Sequence, residues 1–231
     1  GGGDVITVQS TDIPLYIRSG LGDDTITIGN NGSLAEIDAL VDVDAFDVFG
    51  AGSAPVDRGS DTLLIDGRND TGTLNGTIGL VDLAQLEGRV AVSGLALSPA
   101  GITYIAVENI EIDLGNGNNI ATIISTGLAD NTTLRTSGGA DRVNLWAMNG
   151  PTFIETGAGV DTVTIGKPIS TTPDSEFTVN DILFGLLTID GGSEPSGVSE
   201  GNDILRVSDN GDTAADRGNR LTENEIIGLG M

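Results

Sequence analysis

The sequence predicts an all-β chain, a right-handed parallel β-solenoid (β-helix or β-roll) with coils of about 20 residues. Three observations carry that prediction. First, one short phrase recurs: Gly20-Leu-Gly22-Asp-Asp24-Thr-Ile-Thr-Ile28, Gly115-Asn-Gly117-Asn-Asn119-Ile-Ala-Thr-Ile123 and Gly157-Ala-Gly159-Val-Asp161-Thr-Val-Thr-Ile165. Looser copies end at Asp141 and Asp203, and fragments end at Asp4 and Asp61. Each copy sets a glycine turn and one polar side chain directly before an alternating apolar run, which reads as a turn feeding a half-buried strand. Second, the acids (with Asn119 replacing one) are 20, 37, 58, 22, 20 and 42 residues apart. Taken as one, two, three, one, one and two steps, these gaps span 199 residues in ten steps. Third, glycine supplies 35 of 231 residues and aromatics only 3%. Such thin, aliphatic apolar material suits coils that bury one face on their neighbours rather than around a single large core.

The elements follow in order. Asp4 opens Val-Ile-Thr-Val, and Asp24 opens Thr25 to Ile28, with Ile26 and Ile28 on one face. Ser33-Leu-Ala-Glu36 has the form of a capping box, but Val41-Asp-Val43 and Phe46-Asp-Val48 alternate as strands do, so an irregular insert with strand character is expected. Asp61 opens Thr-Leu-Leu-Ile65, with Leu63 and Ile65 inward. Leu80 to Leu86 and Thr222 to Glu225 are short-helix candidates. From Asn119, one coil reads as a strand over Ile120 to Ile124, a turn at Ser125 to Asn131, a strand over Thr132 to Thr136, and the turn leading to Asp141. The next repeats this with Val143 to Leu145, a turn at Asn149-Gly150-Pro151, and Phe153 to Thr156. Val163, Ile165, Leu205 and Val207 complete the expected inward set, and Tyr104 and Trp146 read as packing residues.

A longer period overlies the coil. Gly50 to Asp66 returns as Gly191 to Ser208, Gly94-Leu-Ala96 as Gly228-Leu-Gly230, and Asp4 to Thr11 resembles Asn119 to Thr126. The chain thus divides into a first, partial module over 1–94 and a second over 95–231, stacked continuously, and reads as a segment of a longer array.

Acids number 34 against 10 lysines and arginines, a net charge of −24, with no histidine and no cysteine. That balance argues against nucleic-acid partners, and no apolar run is long enough for membrane insertion. Carboxylates stacked about 4.8 Å apart repel, and hard divalent cations suit carboxylate and carbonyl oxygens. The candidate ligands of a calcium ion are Asp4, Gly20, Gly22, Asp24, Gly59, Asp61, Gly117, Asn119, Gly139, Asp141, Gly157, Gly159, Asp161, Gly201 and Asp203. The same motif also reads as a tight turn whose acid caps nearby N–H groups.

Further residues bear on kinship: Gly101-Ile-Thr-Tyr104, Val107 to Gly115, the Ser-Thr pairs at 10–11 and 125–126, and the closing Leu221 to Met231. With the glycine–acid turns, they make the chain resemble the RTX-type, hemolysin-like calcium-binding repeats of secreted bacterial proteins. It is similar more closely to the long modules of giant extracellular bacterial repeat proteins and adhesins. The resemblance implies a secreted or cell-surface protein, rigid by stacking and associated with calcium. A non-enzymatic structural or adhesive rod is therefore expected, whose partners are neighbouring repeats or head-to-tail copies in a homo-oligomer or filament, with surface glycans as a further class. Two alternatives stand beside it. A polysaccharide lyase or epimerase would need arginine or lysine with tyrosine or histidine beside acids in a groove. An ice-binding solenoid would need a regular Thr-x-Thr array, which Asn144 interrupts.

Overall fold

A computed structural model describes residues 2–46, 59–80, 89–128, 130–168, 177–178, 185–192, 202–207, 220–221 and 226–227. The strands are Val5–Val8 (β1), Leu15–Arg18 (β2), Thr25–Ile28 (β3), Val41–Asp44 (β4), Thr62–Asp66 (β5), Asn75–Leu80 (β6) and Val90–Gly94 (β7). They continue with Ile102–Ile105 (β8), Asn109–Asp113 (β9), Ile120–Ile123 (β10), Asn131–Arg135 (β11), Arg142–Leu145 (β12), Thr152–Glu155 (β13) and Thr162–Ile165 (β14). Lys167–Pro168 (β15), Phe177–Thr178 (β16), Leu187–Asp190 (β17), Ile204–Val207 (β18), Arg220–Leu221 (β19) and Ile226–Ile227 (β20) complete the set. Among the described residues there is no helix.

Among the described residues, strands alternate between two large sheets, except that β6, β7 and β8 share one of them and that β15–β16 and β19–β20 form separate antiparallel two-stranded sheets. The first holds seven strands in the order β1-β3-β5-β9-β11-β13-β17, all parallel. The second holds nine, in the order β18-β14-β12-β10-β6-β7-β8-β4-β2. Its pairs are parallel except β6–β7 and β7–β8, which are antiparallel. A meander of β6, β7 and β8 is thus inserted into an otherwise repeating two-strand pattern. It spans the sequence boundary at residue 94, and pairing crosses that boundary in both sheets, β4 with β8 and β5 with β9.

Alternation along each strand produces the core. Ile26, Ile28, Leu63, Ile65, Ile110, Ile112 and Leu134 line the inner face of the seven-stranded sheet, and Val41, Val43, Ile102, Tyr104, Ile123, Val143 and Leu145 that of the nine-stranded sheet. Tyr104 is a packing residue, 1% exposed. Leu205, expected inside, is 49% exposed; among the described residues β18 is the last strand of its sheet.

The repeat takes fewer steps than the spacing of its acids suggests. Thr25 pairs with Thr62, and Thr162 with Ile204, so the 37- and 42-residue gaps are single steps lengthened by inserts. The 58-residue gap is not a multiple of the coil at all, since Asp61 precedes a strand of one sheet and Asn119 a strand of the other. The seven-stranded sheet accordingly spans about 29 Å along its stacking direction, against the longer rod that ten steps imply. The capping-box segment at Ser33 is a turn in which the serine Oγ accepts from Ala35 N–H at 3.3 Å and donates to Asp70 Oδ1 at 2.6 Å. Strand β4 is as expected. Residues 47–58, 81–86, 193–201, 208–213, 222–225 and 228–231, which include Gly201, the Pro-containing inserts and both short-helix candidates apart from Leu80, lie outside the described residues.

Candidate functional site: two acid ladders

A residue just before a strand has a backbone N–H that the strand ladder does not reach, and a buried N–H without a partner is costly. The glycine–acid turns solve this with the side chain of the residue at the equivalent position before the next strand of the same sheet. Asp4 N–H donates to Asp24 Oδ1 at 2.7 Å, Asp24 N–H to Asp61 Oδ1 at 2.7 Å, and Asp61 N–H to Glu108 Oε2 at 2.7 Å. On the other sheet, Leu74 N–H donates to Asn119 Oδ1 at 3.0 Å, Asn119 N–H to Asp141 Oδ1 at 2.7 Å, Asp141 N–H to Asp161 Oδ1 at 2.8 Å, and Asp161 N–H to Asp203 Oδ1 at 3.0 Å. The candidate residues therefore fall into two ladders, each tied to one sheet, rather than one series. Along the ladders Asp24, Asp61, Asn119, Asp141 and Asp161 are buried, whereas the outermost rungs Asp4 and Asp203 are exposed. Hydrogen bonds from amides to carboxylates are charge-assisted and among the stronger kinds available to a protein.

Glycine is required because the turns touch. A Cβ on Gly157 would collide with Ser137 O, and one on Gly159 with Gly139 O. Both glycines also hold positive φ, 83° and 146°. Gly22, Gly59, Gly117 and Gly139 likewise abut backbone of the preceding turn, while a Cβ on Gly20 would meet open space, so Gly20 serves only its φ of 89°. Backbone bonds close the gap directly, Gly139 N–H to Ala158 O and Ala158 N–H to Ser137 O, both 2.8 Å.

Three contributors escaped the sequence reading. Glu108 continues the first ladder with a longer acid and no glycine motif. Asp23 and Asn118 form an outer clasp of opposite sense, accepting from Ser60 N–H and Ala140 N–H of the following turn, both at 2.9 Å. The doubled Asp23-Asp24 and Asn118-Asn119 were the available signal: one member of each pair faces in and the other out.

Asn119 shows what surrounds the second atom of a rung side chain. Its Nδ2 donates to Gly115 O at 2.8 Å and to Thr136 O at 3.1 Å, so two backbone carbonyls converge there. By register the corresponding carbonyls at Asp141 are those of Ser137 and Thr156. Ser137 O already accepts from Ala158 N–H, and Thr156 O from the Thr136 hydroxyl at 3.0 Å, and each oxygen has a second lone pair. Asp24 Oδ2 and Asp141 Oδ2 are buried without a hydrogen-bond partner. By that register the Asp141 oxygen is set against carbonyl oxygens, which calls for a positive partner, either a cation or its own proton. Burial pushes the Asp141 carboxyl up to about 6, helped by the charge of Asp161 and opposed by the nearby Thr136 hydroxyl dipole and the bond from Asn119 N–H. Among the described residues no three acidic side chains converge as a ligand group, so an ion at Asp24 or Asp141 would draw mainly on backbone carbonyls.

No described helix is long and apolar enough to cross a membrane. Comparison with known proteins finds no matching family model, no matching curated protein and no matching solved structure.

Proposed function

We propose that the chain is a right-handed parallel β-solenoid segment that serves as a stiff, acidic spacer in a secreted or cell-surface bacterial protein, carrying structural or adhesive rather than enzymatic function. The observation that carries this reading is the pair of ladders. Each rung ties one coil to the next by a short side-chain bond that depends only on position in the repeat, so stiffness is built in locally and extends with coil number. The two modules, 1–94 and 95–231, would stack continuously, in keeping with the pairing of β4 with β8 and β5 with β9 across that boundary. Right-handed winding follows the usual hand of parallel crossovers.

Calcium is the proposed stabilising ion, with Asp24 and Asp141 the rungs that fit it best. It would supply the positive charge that their unpartnered oxygens lack. Asn119, whose amide supplies its own donors, needs none. Melting curves in EDTA and under calcium titration, with magnesium as control, test this. A calcium-selective rise in Tm that disappears in the double variant D24N/D141N is the expected result; no rise in the parent protein removes the ion and leaves the ladders as caps. The spacer itself is tested by small-angle scattering, where a compact, isometric particle would contradict it.

A further inference from the structure

On the outer face of the nine-stranded sheet, next to the meander, Tyr16, Ile17, Arg18, Asp42, Asp44 and Arg89 line a pocket of about 290 Å³. The parallel register of β2 with β4 sets Tyr16 beside Asp42 and Arg18 beside Asp44. Arg89, just before β7, reaches across to both acids, with Nη1 2.6 Å from Asp42 Oδ1 and Nη2 3.6 Å from Asp44 Oδ2. Thr103 Oγ1 also donates to Asp42 Oδ1, at 2.6 Å. Arg89 is held, its side chain only 16% exposed, and it fixes the two carboxylates in place.

Two lining residues are not explained by that brace. Tyr16 is 69% exposed, although the other tyrosine of the chain is in the core. Arg18 has a side chain 75% exposed, and its nearest acid oxygen, on Asp44, is 3.9 Å from Nε, beyond hydrogen-bond range. In a chain with ten basic residues and a net charge of −24, two arginines meet here around one exposed ring.

We propose that this pocket binds a saccharide unit bearing a carboxylate, such as a uronic acid residue of an acidic glycan. An exposed aromatic face suits the C–H face of a pyranose, fixed carboxylates accept sugar hydroxyls, and a guanidinium with spare donors takes a carboxylate bidentately. A volume just under the usual small-molecule range of about 300–1,000 Å³ suits one sugar ring. An apolar ligand would strip water from four charged groups with little return, and a polyphosphate would meet Asp42 and Asp44. Elsewhere the acidic surface repels anionic glycans, so binding is confined to this spot and its orientation is fixed.

The site is independent of the spacer reading and of calcium, and the test keeps them apart. The full chain is titrated with tri-galacturonate and with neutral galactotriose in EDTA, so that calcium cannot bridge the uronate to the protein's acids, and followed by calorimetry or NMR shifts. Saturable binding of the uronate is expected, weakened about tenfold or more by Tyr16→Ala. Arg18→Ala is expected to reduce uronate affinity to that of the neutral sugar. Both side chains are exposed, and unchanged melting curves check that the variants fold. Absence of saturable uronate binding, preference for the neutral sugar, or equal binding by the parent and Tyr16→Ala would overturn the proposal.

Discussion

At the scale of single residues, the rungs are governed by what their second side-chain atom meets. Asp141→Asn should reproduce the Asn119 arrangement and, in EDTA, raise stability by about 1 kcal/mol, because an orphaned oxygen is replaced by a donor facing carbonyls; urea unfolding measures it. Protonation does the same for the unaltered side chain. Burial raises the Asp130 carboxyl to about 7 and the Asp141 carboxyl to about 6. Both folded values lie above those of the unfolded chain, so the folded protein binds these protons more readily. In EDTA, stability should therefore climb as pH falls through about 7 and then 6 toward the ordinary carboxylate range, and be lost on return to higher pH. A melting temperature that is flat from pH 8 to about pH 5 in the parent protein would contradict this. Ala106, held at φ 57° between β8 and β9, is a residue under backbone strain, and Ala106→Gly should gain about 0.5–1 kcal/mol.

At the scale of elements, turns and sheets make different demands. The glycine turns stack backbone on backbone, so Gly159→Ala should cost about 2 kcal/mol or more, through both the collision with Gly139 O and the positive φ. Denaturant titration reads it directly. The sheet faces instead manage charge. Arg135 on β11 contacts Glu111 at 3.0 Å and Asp113 at 2.9 Å on β9, with Glu155 on β13 3.5 Å away. Side-chain bonding to Asp113 is the largest influence raising its already high pKa, with burial opposing it. All of these groups but Asp113 are more than a third exposed, so each pair contributes little alone. Arg135→Gln nevertheless leaves three acids on adjacent strands without their cation and should cost about 1 kcal/mol, an effect that shrinks in salt.

At the scale of the whole molecule, the dominant fact is −24 charges on 231 residues arranged around two stacked sheets. Self-repulsion acts along the stacking direction, and screening relieves it where exposed charges lie within a Debye length of about 10 Å. Monovalent salt should raise the melting temperature steadily even in EDTA, whereas calcium should act at concentrations too low to screen. Separating those two dose ranges distinguishes bound ions from bulk electrostatics.

Features set within about 20 consecutive residues were legible in the chain: the strand positions of 119–156, the inward set from Ile26 to Ile165, the need for glycine, and a turn acid able to cap an N–H. These follow from period-2 patterning and local backbone geometry, which are written in consecutive residues. The rest depended on which strands pair. Insert lengths hid that Asp24–Asp61 and Asp161–Asp203 are single steps, and the meander moved the motif from one sheet to the other between Asp61 and Asn119. Glu108 could take its rung, and Arg89 reach Asp42 from 47 residues away, only because non-local strand pairing brings them there. Which strands become neighbours depends on the connections between them, and a local periodicity carries no record of that choice.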